Sequence, residues 1–330
     1  MPSVRITAIH PPCAIEGGRI SIEGTGFPVD GSLLPEVRVG ELAARLVYAS
    51  PTQLSAIVPA GLDAGRTPVQ VAGADGDTAF VEIAAPFAAG LHQVDNAIFD
   101  RDSNLYVTYS GTRGQQAPVS IFRVRPNGTR EPFSSSIVNP TSMAIDSQNR
   151  LYVSSRFEGT VYRVAPDGGT EPFAHDLGVA CGLAFGNEGT LFVGDRSGTI
   201  FTVDPAGRAT TFATLPPSVA AFHLAFGPDC ALYVTGPTLS SYDVLYRIAP
   251  DGAVTTRYAG FGRPQGLAFD PAGTLYVVEA LAGSSGLYRM PAEGAAECVL
   301  SGPGLVGVAF DASGVLVVSS NETAYRLDRS

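Results

Sequence analysis

Few residues in this chain could do chemistry, and they are scattered. It contains four histidines and four cysteines. Cys13, Cys181, Cys230 and Cys298 show no CxxC spacing and no nearby His, so they read as buried thiols rather than a zinc site. All 21 basic residues are Arg, which removes Schiff-base lysines and the phosphate-holding lysine of a P-loop. No GxSxG nucleophile elbow occurs either. What remains is Asp95, Asp195, Glu279 and His223, suited to proton transfer, and Gln265, a neutral oxygen ligand for a hard cation, with Asn96 and Thr141 as further polar side chains. Their spacing acquires meaning only from the elements that position them.

Those elements repeat. The stretch "GLAFDPAGTLYVVE" (266–279) has near-copies at 96–109, 142–155, 182–195, 223–236 and 307–320. Each copy is followed by a second signature, "SIFRV", "TVYRV", "TIFTV", "VLYRI", "GLYRM" or "TAYRL". The first five of these run into a Pro/Gly turn and a further polar–apolar stretch such as "GTREPF". Each unit therefore predicts four short strands. The anchor Leu falls at 105, 151, 191, 232, 275 and 316, at intervals of 46, 40, 41, 43 and 41, the period of a β-propeller blade. One blade cannot bury both faces, whereas six around an axis can. The sixth copy lacks its outermost strand, and "APFAAG" (85–90) carries Phe87 eighteen residues before Leu105, as Phe133 precedes Leu151. This segment is expected to complete the last blade and close the ring.

These units resemble NHL repeats, and more broadly the six-bladed senescence marker protein/gluconolactonase enzymes and streptogramin B lyases, over residues 86–330. Blades of this kind build hydrolases, lyases and pure binding platforms alike, so the resemblance points to architecture before activity.

Loop lengths single out one face. From the anchor Leu to the third-strand aromatic (Phe122, Tyr162, Phe201, Tyr246, Tyr288, Tyr325) the separations are 17, 11, 10, 14, 13 and 9, while the turn between first and second strands never varies. Variable loops on a rigid frame are where function is usually placed. This top face should also carry the starts of the inner strands, where Asp95, Thr141, Cys181, Phe222, Gln265 and Val306 form one ring and Asn96, Ser142, Gly182, His223, Gly266 and Gly307 the next. The ends of the second strands add Tyr109, Ser155, Asp195, Gly236, Glu279 and Ser320. In the gluconolactonase-like enzymes a divalent metal sits on the axis, held by carboxylate and amide side chains at the inner-strand position. The resemblance thus implies Asp95 as a metal ligand for a cation such as calcium or zinc, although only Gln265 in that ring could join it. The lyases pair a His at this position with a Glu fourteen residues on; here Glu279 is present and the His position holds Gln265. The plainer reading of His223 is a polar residue facing the channel. Any pocket is expected at the top-face mouth, walled by loops 109–119, 236–243 and 279–285 and floored by Asp95, Gln265 and His223. Candidate ligand-binding residues are Asp95, Asn96, Tyr109, Thr141, Asp195, Phe222, His223, Gln265 and Glu279.

The first 84 residues differ. "ITAIHPPCAIEGGRISIEGTGF" (6–27) and the alternating runs over 37–73 predict a β-sandwich. Their order resembles the IPT/TIG family of immunoglobulin-like domains, which serve as spacers, dimerisation modules, DNA-contacting modules and appendages to carbohydrate enzymes; the acidic balance argues against the DNA version, and a spacer or docking module is expected here. The fold class is therefore all-β: an immunoglobulin-like sandwich over 1–84 and a six-bladed propeller over 85–330, with scarcely a linker between them.

A net charge of −10 spread over both parts disfavours nucleic acid and anionic membrane as partners. The start "MPSVRITAIHPP" has no signal-peptide pattern and no later stretch is long and apolar enough to span a bilayer, so the expectation is cytoplasmic, or secreted if a leader was removed. Two functions stay open. One is a propeller that binds a protein, peptide or small molecule on its top face without catalysis. The other is a lactone or ester hydrolase with an altered axial metal site.

Overall fold

A computed structural model describes residues 4–29, 34–74 and 78–327. Among them no helix occurs, and the regular structure is entirely strand. The repeats form six four-stranded blades. Five are separate sheets or closures: 98–134, 140–174, 180–214, 223–261, and the last, in which strands 305–310, 316–320 and 323–327 are joined by 85–89. The remaining blade, 264–301, is continuous with the N-terminal sheet. Neighbouring inner strands touch all the way round, from 98–99 through to 305–310 and back, so the ring is closed. Closure is made by an antiparallel pairing of Tyr325 with Pro86 and Ala324 with Ala88, which covers the outer edge of the last blade's third strand.

The repeated residues explain the packing. Second-strand Tyr or Phe of one blade meets inner-strand Phe of the next: Tyr152 with Phe185 at 5.0 Å, Phe192 with Phe226 at 5.8 Å, Tyr233 with Phe269 at 5.2 Å and Tyr276 with Phe310 at 5.0 Å. The recurrent "AF…LYV" pattern is thus an aromatic joint between blades. Aspartates after the inner strands shape the turns below. Asp146 Oδ1 accepts from the backbone N–H of Gln148 and Arg150, Asp270 Oδ1 from Ala272 and Thr274, and Asp311 Oδ1 from Ser313 and Val315, all at 2.8–2.9 Å or 3.0 Å. This is the local bonding that makes Asp a turn residue.

The N-terminal domain is a two-layered sandwich around Ile20, Ile22, Leu54, Val69 and Val81, each fully buried. Strand 19–25 alternates buried and exposed residues as a half-covered sheet requires. The short strand Cys13–Ala14 lies parallel to 79–83 on one side and to 297–301 on the other, so it welds the sandwich to the outer edge of the fifth blade. Ile15 N then donates to Ser301 O at 3.0 Å, and the Ile15 side chain, 1% exposed, sits among Tyr276, Val278 and Leu305 between blades five and six. Gly302 permits this: a Cβ there would stand 2.5 Å from Ile15 Cγ1.

Candidate functional site

Inner strands enter from the top face, so their first residues surround the upper channel. Here Asn96 reaches across the ring: its Nδ2 donates to Leu267 O and its Oδ1 accepts from Val308 N, both at 2.9 Å. A Cβ on Gly266 would lie 2.1 Å from that Oδ1, which accounts for a glycine in "QGLAF". Ser142 Oγ likewise accepts from Leu183 N at 3.0 Å. Both side chains brace one blade's inner strand against the next.

Asp95 and His223, 128 residues apart in sequence, meet in space. Nδ1 lies 2.6 Å from Asp95 Oδ1, joining the first and fourth blades, which face each other across a six-bladed ring. Asp95 is 2% exposed and His223 0%. The two side chains share one hydrogen bond, whose donor is set by the imidazole tautomer. Nε2 is buried with no protein partner among the described residues. Gln93 fixes the Asp95 backbone, donating Nε2 to its carbonyl at 2.9 Å while accepting from Thr108 N at 2.9 Å.

The other sequence candidates are committed to the frame. Asp195 Oδ1 accepts from Val179 N at 2.7 Å, and Oδ2 from Ser197 Oγ. Glu279 gathers three backbone donors, Gly262 N at 2.6 Å, Arg263 N at 2.8 Å and Leu281 N at 2.7 Å. Thr141 Oγ1 donates to Asn139 O at 3.2 Å. Phe222 is buried in the core between blades three and four, and Tyr109 packs edge-on to His92 at 5.9 Å. Gln265, like Tyr109 and Asn96, is half-buried; its backbone carbonyl accepts from Thr235 Oγ1 at 2.5 Å.

A cavity of about 290 Å³ occupies the axis. Asp95, Asn96 and Ser142 line its upper end, and five phenylalanines with Ile145 ring its lower end. Loops 109–119, 236–243 and 279–285 do not line it, nor do Gln265 and His223. The axial cavity is thus walled by the inner strands and not by those loops.

The cation cage implied by the gluconolactonase resemblance does not fit these residues. Among the described residues no three His, Cys, Asp or Glu side chains come together as ligands. The Asp95 carboxylate is spent on His223, and Cys181 Sγ donates to Val179 O at 3.0 Å. Burial pushes the Cys181 thiol up to about 12, so it stays protonated at neutral pH.

Arginines above this floor form a feature that the sequence reading overlooked. Arg156 directly follows the second strand of the second blade and Arg196 that of the third, while Arg113 sits in the longest loop of the first. The signal was present as "SSR" (154–156) and "GDR" (194–196), a basic residue at the same repeat position in adjacent blades. Burial draws the Arg156 guanidinium below its ordinary value, and the Arg113 and Arg196 charges act in the same direction.

Comparison with known proteins agrees with this architecture. Residues 4–87 match the IPT/TIG domain family. No curated protein sequence matches the chain. Among solved structures, an auxiliary nutrient binding protein from Bacteroides ovatus ATCC 8483 is 14% identical, with a TM-score of 0.57 over 99% of this chain and 98% of that one. A catalytically inactive virginiamycin B lyase from Staphylococcus aureus, solved with quinupristin, is 13% identical, with a TM-score of 0.54 over 99% and 96%. A provisionally identified gluconolactonase is 16% identical, with a TM-score of 0.60 over 74% of this chain and 90% of that one. At such identities the likeness is one of fold.

Proposed function

We propose that the protein is a non-catalytic binding propeller that takes a small molecule or peptide on its top face, with the N-terminal domain as a fixed docking module at its rim. One observation carries this reading. Of six large apolar side chains exposed on the propeller among the described residues, Phe157, Val219, Leu239, Tyr242 and Leu281 stand on top-face loops, and Val254 alone lies elsewhere. Leu239 is 93% exposed and Tyr242 68%. Apolar side chains gathered on one face of a soluble protein mark an interaction surface.

The chemistry below that surface supports binding over turnover. A general base must reach its substrate, yet His223 and Asp95 are sealed and bonded to each other, and Asp195 and Glu279 cap backbone amides. The polar donors there hold the ring rather than a reacting group. A thermal-shift screen of neutral oligosaccharides, peptides and lactones tests the proposal. A ligand whose binding falls more than tenfold in Tyr242→Ala and Leu239→Glu, but not in Val254→Glu on the opposite side, is the expected result. Turnover of a lactone that disappears in Asp95→Ala would overturn it.

A further inference from the structure

Arg113, Arg156 and Arg196 stand on the second-to-third-strand loops of three consecutive blades, at the top face. Asn139 builds the cluster. Its Nδ2 donates to Ser110 O at 2.5 Å and Thr112 O at 2.9 Å, its Oδ1 accepts from Gly114 N at 2.6 Å, and its own carbonyl accepts from Arg156 N at 3.4 Å. The Arg113 loop of the first blade is thereby clamped beside Arg156 of the second. A Cβ on Gly114 would stand 3.0 Å from the Phe157 ring, so the loop lies flat over the residue next to Arg156. Arg196, from the third blade, is held by its backbone between Val179 O and Ser218 N. The Arg113 and Arg196 charges both act on Arg156, which is half-buried, while Arg113 and Arg196 are exposed.

Many of the propeller's other arginines pair with acids. On the blades' outer strands Arg123 pairs with Glu131, Arg163 with Glu171 and Arg289 with Glu297; below the disc Arg150 pairs with Asp146, Arg208 with Asp204 and Arg247 with Asp229. Arg113, Arg156 and Arg196 form no ion pair among the described residues. The acids near them are occupied: Asp195 by Val179 N and Ser197, Glu158 by Tyr162, Asp176 by His175. Like charges held together, one of them partly desolvated, repel and are stabilised only when an anion joins them. In a chain of net charge −10 a local positive site is also selective, because the surrounding field rejects anions everywhere else.

We propose that Arg113, Arg156 and Arg196 form an oxyanion site that receives a carboxylate or phosphate group of a small ligand at the top face. Planar guanidiniums match both groups with paired N–H donors, and the half-buried position of Arg156 suits a single small group better than a flat acidic protein surface. This deepens the top-face binding reading and rests on it.

The test titrates the full chain with citrate and with inorganic phosphate by calorimetry, at constant ionic strength with chloride as control. Saturable binding of at least one anion is expected, and which one binds identifies the group. Arg156→Gln should weaken it tenfold or more and Arg196→Gln severalfold, while Arg289→Gln, which loses a paired arginine at the rim, leaves it unchanged. Arg156→Gln should melt no lower than the parent protein without anion, which separates lost binding from lost folding. Absence of saturable binding by both anions, or binding that Arg156→Gln and Arg289→Gln weaken alike, overturns the oxyanion site. If a neutral ligand still binds through Tyr242 in that case, only this inference falls; if none does, the top-face reading falls with it.

Discussion

The two faces of the disc are made from the same six repeats and have opposite character. Below, every first-to-second-strand turn has the same length, and aspartates such as Asp146, Asp270 and Asp311 tie the turns to their own backbone amides. Arg150, Arg208 and Arg247 there pair with acids, and Arg101 donates to the Ser147 carbonyl. Above, loop length varies, apolar side chains stand exposed, and Arg113, Arg156 and Arg196 form no ion pair among the described residues. The lesson is that the lower face is satisfied by its own groups, so it needs nothing from outside. The upper face is left with unmet charge and uncovered apolar surface, the two things that a ligand supplies.

If the lower and outer parts are frame, damage there should cost stability first. The largest effect is expected at ring closure. Phe87→Asp combined with Ala88→Asp puts charge where 85–89 packs on the first and last blades, and should abolish cooperative unfolding or lower stability by more than about 4 kcal/mol. Urea melts followed by circular dichroism check this, and a parental melt would remove the closing strand from the account. Next comes Ile15→Ala at the joint between sandwich and propeller, with a loss of roughly 2–5 kcal/mol by calorimetry. A neutral result there would mean that the strand Cys13–Ala14 alone sets the docking.

Smaller effects sharpen the comparison through pH. Burial pushes the Asp146 and Asp311 carboxyls up, but the hydrogen bonds that they accept outweigh it and hold both below the usual carboxylate value. A depressed folded pKa stabilises the fold above the unfolded value of about 3.9 and loses that contribution as pH falls through the folded one. Stability should therefore drop between about pH 4 and pH 2, less steeply in Asp146→Asn/Asp311→Asn, each substitution costing roughly 1–3 kcal/mol at neutral pH. An unchanged slope would take the lower-face turns out of the acid response. Smallest of all is Arg156→Gln, whose melting temperature should hold or rise because it removes a repulsion.

Much of the frame was legible in the sequence because it repeats. Each "LYV" and "AF" recurs once per blade, and both residues of the aromatic joint fall at fixed offsets. Docking of Cys13–Ala14 on the fifth blade was not legible, since a two-residue strand paired in parallel on both sides carries no period. The axial residues were half legible. Repeat register put Asp95, Asn96 and His223 around the channel, yet it could not tell that Asn96 would span blades or that Asp95 and His223 would bond across it, because sequence register gives height along the axis and not reach. The arginine cluster was missed for a different reason: attention to acids and histidines at second-strand ends passed over the basic residue beside them.

Amide hydrogen exchange of the full chain with and without saturating citrate or phosphate tests the division of labour between the faces most directly. The account predicts new protection at 109–116, 155–157 and 195–198 and no change in the lower turns 100–104, 146–150 and 270–274. Protection confined to the lower turns or to the aromatic end of the channel would contradict it.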